Sequence, residues 1–187
     1  MLSSARYHVA AIILHWVMAV AFLLMFVSGL TMVNLELEKA LQFRMYQWHK
    51  SLGVLLQLAF FLRFAIYIFA HKPRWPHSMK PIERTLAVLG HRALYVWMLI
   101  VPLTGWFMVS SSIYGLPTIV FGWFEWPHVP GIAGNQLVEE VAEQAHQLLA
   151  YGFMALVVGH VLAVVKHAVV DKENLLPRMG IGKGRMS

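Results

Sequence analysis

The sequence predicts an all-α membrane protein, a bundle of four transmembrane helices with both termini in the cytoplasm. Three observations carry this expectation. The chain is 59% hydrophobic and only 13% charged over 187 residues, about half the charge of a soluble domain. Its apolar residues gather into four runs, each long enough for a hydrocarbon core of about 30 Å, which needs about 20 residues. Its Lys and Arg residues fall on alternate connections, which orients those runs.

The runs cover about 9–33, 51–70, 85–109 and 141–170, so one four-helix unit takes in nearly the whole chain, and residues 1–187 are expected to form a single domain. The first run is longer than the apolar region of a secretory signal and no small-residue cleavage site follows it, so it is expected to remain. The second begins at WHKSLG. In the third, Pro102 and Gly105 permit a bend that neighbouring helices can accommodate. Between the third and fourth lies SSSIYGLPTIVFGWFEWPHVPGIAGNQ, rich in Trp, Phe, Gly and Pro. Two readings stay open for it: a segment at the outer headgroups anchored by Trp123 and Trp126, or a cap on the bundle.

Orientation follows from charge. Arg6, then Lys72, Arg74, Lys80 and Arg84, then Lys172, Arg178, Lys183 and Arg185 fall on one side. On the other, residues 110–140 contain no Lys or Arg, although Lys39, Arg44 and Lys50 flank the first connection. The positive-inside rule then puts both termini in the cytoplasm. The net charge of +6 is a topology signal and calls for no nucleic acid. Because the chain has no cysteine, disulfides, iron–sulfur clusters and covalent haem attachment are excluded, and any metal must be held by histidine.

Ionisable side chains inside a spanning helix are costly and usually face the bundle interior. His146 and His160 sit fourteen residues apart in the run AHQLLAYGFMALVVGH. In a helix that spacing is about 21 Å along the axis and nearly four turns, so both rings look the same way at two depths. With the derived orientation, His15 falls in the inner half of span one, His49 at the outer end of span two, His146 near the outer surface and His160 in the inner half. Two cross-helix pairs result, His15 with His160 and His49 with His146. Two neutral imidazoles from facing helices can cap both faces of a haem iron, and a four-helix bundle is a natural housing for one.

Haem propionates need partners. Arg63 lies fourteen residues after His49, hence at the inner level; snorkelling to the cytoplasm is its structural alternative. Arg92 can do the same work from the start of span three, and Lys50 is the outer candidate, for a propionate or for attracting an anion. His91, in GHRALY, is read as structural support or a quinone or proton contact. Lys166 and His167 resemble an interfacial pair where a quinone headgroup can dock. His8, His71, His77 and His128 fall in tails or connections and are expected to be solvated.

In its motifs the chain resembles the bacterial cytochrome b561 family of small di-haem membrane proteins that includes superoxide oxidase. The likeness covers nearly the whole chain. It rests on HW at His15, HKSLG from His49, GHRALY from His91, VFGWFEWP from Val120, the His146 and His160 spacing, and DKENLLPRM from Asp171. The resemblance implies a multi-pass protein of the bacterial inner membrane. It also implies two non-covalent b haems with axial pairs His15 with His160 and His49 with His146, and electron transfer between the outer face and the quinone pool. Its characterised branch implies superoxide as donor and ubiquinone as acceptor. Other small periplasmic donors are compatible with the residues.

Two rival readings remain at this level. One keeps the haems and makes the chain the cytochrome b anchor subunit of a hydrogenase or dehydrogenase. The other is a histidine-lined metal or proton transporter, disfavoured because the histidines cluster at two levels and no internal repeat is seen.

Overall fold

The computed structural model describes residues 6–70, 73–76 and 79–182; Lys72, Lys183, Arg185, His71 and His77 lie outside the described residues. Four helices, all long and apolar enough to cross a membrane, dominate the fold: α1 (Val9–Asn34), α2 (Lys39–Phe69), α3 (Pro81–Ser111) and α4 (Gln136–Val169). Residues on their outward faces, such as Leu23, Phe61 and Leu148, are more than half exposed, as expected of side chains that meet lipid.

Three of the four helices start where their sequence offers a polar group to the first turn. The His8 ring accepts a hydrogen bond from the Ala10 N–H, and the Asn135 side chain does the same for Val138. Pro81 occupies the first turn of α3, and the Glu83 carboxylate accepts the Lys80 N–H at 3.0 Å. α4 ends with Lys166 and His167 in its last turn, where cations oppose the helix dipole.

The helices overrun the expected apolar spans, most of all α2, which begins at Lys39 rather than near Ser51. Hydrophobicity marks only the part inside the hydrocarbon. The preceding KALQFRMYQWHK consists mainly of residues that tolerate helix well, so three further turns continue outward. His49 and Lys50 therefore sit within a continuous helix.

α1 packs chiefly on α2 and α3 on α4, and α2 joins the two pairs by meeting α3. Between the histidine levels the core is made of Met18, Leu56, Phe60, Met98 and Phe153, with Phe22 edge-on to Phe153 at 4.9 Å between ring centres.

Of the two readings left open for the 110–140 connection, the structure shows a cap on α2. Strands β1 (Thr118–Val120) and β2 (Phe124–Trp126) form an antiparallel hairpin with Ile119 opposite Glu125. The turn carries Gly122 at φ +79°, a left-handed conformation that costs glycine least. The buried Ser51 hydroxyl lies 3.1 Å from the Ile119 carbonyl and accepts the Phe121 N–H, and the Lys50 ammonium donates to the Pro117 carbonyl at 2.9 Å. His128, expected to be solvated, is half-buried with its Nε2 enclosed, because the segment after β2 folds back on α3; Val129 N–H donates to Ser110 Oγ there.

After α4 the chain returns beneath the bundle. A short 3-10 turn (Leu176–Met179) brings the Met179 carbonyl to the Trp16 indole N–H at 2.9 Å and the Arg178 carbonyl to the Tyr7 N–H.

Candidate functional site

The helices bring histidines together in two layers. His15 of α1 faces His160 of α4 with ring centres 6.3 Å apart, and His49 of α2 faces His146 of α4, also at 6.3 Å. Metal bonds to imidazole nitrogen are about 2.0–2.1 Å, and the ring centre lies roughly 1.1 Å behind that nitrogen, so two imidazoles in line on one metal have centres about 6.3 Å apart. Both pairs therefore have the separation that a shared metal ion requires.

Hydrogen bonds decide which ring nitrogen is free. The carbonyl of Val101 lies 3.0 Å from His146 Nδ1, and a carbonyl only accepts, so Nδ1 carries the proton and the Nε2 lone pair is available. Thr104 Oγ1 stands 3.2 Å from the same nitrogen. At His49 the partner is Ser28, 2.9 Å from Nδ1. The Ser28 hydroxyl donates to the Met25 carbonyl, so it accepts from His49, and again Nε2 is left free. This arrangement, with one nitrogen held by the protein and the other open, is the usual one for metal-binding histidine.

One glycine lets its histidine ring approach. A Cβ at Gly105 would lie 3.1 Å from His146 Cε1 and 3.2 Å from its Nδ1, whereas one at Gly29 would meet His49 Cε1 at 3.6 Å.

The inner layer is more polar. Arg63 Nη2 donates to His15 Nδ1 at 3.0 Å, and its guanidinium lies 5.8 Å from the centre of the Tyr95 ring. A guanidinium only donates, so here the neutral His15 keeps its proton on Nε2, and binding iron through that nitrogen requires Arg63 to move away. None of the ion pairs among the described residues involves Arg63. A haem propionate would supply the missing anion and draw the arginine from His15. The cation, the open Nε2 atoms of the outer pair and the two pair separations fit haem.

His91 lies 5.3 Å from His160 between ring centres, about 1 Å less than two imidazoles in line on one metal would have. Its Nδ1 donates to the Ala87 carbonyl at 2.6 Å, leaving Nε2 as an acceptor. Arg92 is exposed beside a shallow depression of about 280 Å³ that it shares with Arg84 and Leu89 on α3. Lys166 and His167 are engaged elsewhere. The Lys166 ammonium bridges Glu83 of α3 and Asp171, the latter at 2.7 Å, and His167 Nδ1 lies 2.6 Å from the same Asp171 carboxylate. The Lys166 hydrogen bond, with help from His167, holds the Asp171 carboxyl below its ordinary range.

Sequence reasoning missed Ser28 and Thr104, and read Gly105 only as permitting a bend. Ser28 and Thr104 are hydroxyls inside apolar spans at the depth of the outer histidines, and that coincidence was the available signal.

Comparison with known proteins agrees with this architecture. The family described as prokaryotic cytochrome b561 matches residues 6–182. Cytochrome b561 homolog 2 of Escherichia coli (strain K12) is 33% identical over 178 residues, covering 95% of this chain and 92% of that protein. A family whose members bind haem b and transfer electrons in membranes accounts for four spanning helices with histidines set across them in pairs, and the chain belongs to the prokaryotic cytochrome b561 family.

Proposed function

We propose that the protein carries two b haems in the bacterial inner membrane and passes electrons from superoxide, or another small periplasmic donor, to ubiquinone. The observation that carries this reading is the pair of 6.3 Å histidine separations on separate layers. His49 and His146 would hold the outer haem, His15 and His160 the inner one, with Arg63 as the inner propionate partner. Haem supplies one-electron redox chemistry when bound, so two sites allow two electrons to be held for a quinone that takes two.

The chain's own residues orient and insulate. Ser28 and the Val101 carbonyl fix the outer rings, and the apolar layer from Phe22 to Phe153 keeps water out between the two levels. On the outer face, Lys39, Arg44 and Lys50 lie along the first turns of α2 and give an anionic donor a local positive potential. Lys50 is steadied there by the Pro117 carbonyl. At the inner face Lys166 and His167 are held by carboxylates, which leaves the open Nε2 of His91 as the candidate proton contact.

Stopped-flow mixing of the haem-loaded protein with superoxide and ubiquinone tests this. Rapid haem reduction by superoxide and reoxidation by quinone is expected, and a Lys50→Glu protein with full haem should react more slowly with superoxide. An unchanged rate in that variant would remove Lys50 from the donor entrance. No reduction of the parent protein by superoxide would remove superoxide as donor.

One observation favours a second reading, the anchor subunit of a larger redox enzyme. Tyr114 and Trp123 are 77% and 85% exposed on the outer connection, an apolar surface a partner can cover. Stable co-purification of a redox subunit, lost on Trp123→Ser, would establish it.

A further inference from the structure

We propose that the first turns of α3 carry a binding site for the headgroup of an anionic phospholipid of the inner leaflet, built from Arg84 and Arg92. The proposal is independent of which electron donor and acceptor the protein uses.

The site follows from where Arg92 stands. It lies eight residues beyond Arg84, so its Cα is about 12 Å deeper along α3, beside the inner histidine layer. It does not face that layer. His91, the preceding residue, turns to His160 at 5.3 Å between ring centres, and Arg92 is about 100° further round the helix. Thr85, Leu89 and Arg92 point about 120–180° away from the core residue Met98, toward lipid. Arg92 is exposed there and has no hydrogen bond or ion pair among the described residues. A charged side chain on the lipid face of a spanning helix needs an anion or a route to the interface. Helical side chains lean toward the helix N-terminus, which for α3 is the end expected to be cytoplasmic, so Arg92 reaches back toward Arg84.

Arg84 is set to meet the same anion. Its Nε donates to the Met79 carbonyl at 3.1 Å and its Nη2 to the Pro76 carbonyl at 3.2 Å, which fixes the guanidinium and leaves Nη1 available. With Thr85, Val88 and Leu89 the two arginines line one shallow depression of about 280 Å³, and no carboxylate lines it. Glu83 points about 100° away from Arg84 and is taken by the Lys166 ammonium of α4. Two guanidiniums without an acid complement a phosphodiester of net negative charge. A lipid suits the place better than free phosphate, because Val88 and Leu89, the latter 53% exposed, offer apolar contact between the two cations. Phosphatidylcholine is a weaker match, since its choline neutralises its own phosphate.

The test is native mass spectrometry of the delipidated full chain, titrated with phosphatidylglycerol, phosphatidylcholine or inorganic phosphate. Each arginine at an anionic headgroup strengthens binding about fivefold, so one phosphatidylglycerol per chain is expected to bind about 25-fold more tightly than phosphatidylcholine. Arg84→Gln and Arg92→Gln should each weaken it about fivefold, whereas Arg74→Gln, which removes another exposed cation at the same end, should change it by less than about twofold. Arg84→Gln carries the test if Arg92→Gln does not fold. Equal losses for Arg74→Gln and Arg92→Gln would make the attraction a diffuse surface potential and overturn the site, as would no preference over phosphatidylcholine. Displacement of the lipid by millimolar inorganic phosphate would assign the arginines to the free ion and overturn the proposal. Loss of bound haem from Arg92→Gln, with lipid affinity unchanged, would make Arg92 a propionate partner instead.

Discussion

Gly105→Ala isolates the geometry on which the proposed outer haem site depends. The new methyl group would sit 3.1 Å from His146 Cε1 and 3.2 Å from Nδ1, against an optimal carbon contact of about 3.5–4.0 Å, so something must yield by about 0.5 Å. The neighbour is not the free end of a flexible chain. His146 is held by the Val101 carbonyl at 3.0 Å and stands opposite His49 at the separation a shared metal needs. Metal–ligand distances tolerate about 0.2 Å, so a displacement of that size removes good coordination, and a loss of outer-haem affinity of about 10–100-fold is expected, as for other supporting residues of metal sites. The assay is titration of haem into the apoprotein, with the low-temperature reduced spectrum separating the two haems. Gly29→Ala is the internal comparison. Its methyl meets His49 at an ordinary 3.6 Å, and outer-haem affinity should stay within about threefold of the parent. If Gly105→Ala bound both haems as tightly as the parent, the steric argument and the placement of the outer haem on His146 would be refuted.

Three further outcomes are expected. His15→Ala and His160→Ala should each remove one and the same haem, and depletion of spectrally different haems would break that pairing. Arg63→Leu should lower the midpoint potential of the inner haem, because a positive charge that favours the reduced form is removed. At roughly 10 Å and an effective dielectric of 20 the loss is about 1.7 kcal/mol, or roughly 70 mV for one electron, so a shift confined to the outer haem would contradict the assignment. Asp171 has a folded pKa below its unfolded value, so its contribution to holding the C-terminal segment is complete above about pH 4 and is lost as pH falls through the folded value. Protection of residues 171–182 from proteolysis should therefore be flat from pH 7 to 5 and decline below about pH 4, with Asp171→Asn removing that decline; a decline already complete at pH 5 would contradict the role of Asp171.

The family and the four-helix architecture were legible because a membrane simplifies the code. Long apolar runs and the Lys and Arg distribution suffice to set helices and expected orientation, and orientation then sorts histidines by depth. The pairs obtained in that way are the pairs whose rings stand 6.3 Å apart. What could not be read depends on contacts between distant segments. The outer turns of α2 were invisible to hydrophobicity because they lie beyond the apolar run, and the hairpin has strands of three residues, too short for an alternation to register. Lys166 and His167 looked available because Asp171 lies in the returning tail and Glu83 on another helix, and only the fold brings those carboxylates to them. The roles of Ser28 and Gly105 likewise appear only once His49 and His146 are placed beside them.

The most direct test of the central claim is haem stoichiometry. The protein, expressed with ample haem and purified in mild detergent, is to be assayed as its pyridine complex alongside a reduced-minus-oxidised spectrum. The account predicts about two b haems per polypeptide, one for each histidine layer. A folded protein that retains no haem under those conditions would contradict it, and one haem per chain would leave one of the two histidine pairs without its assigned role.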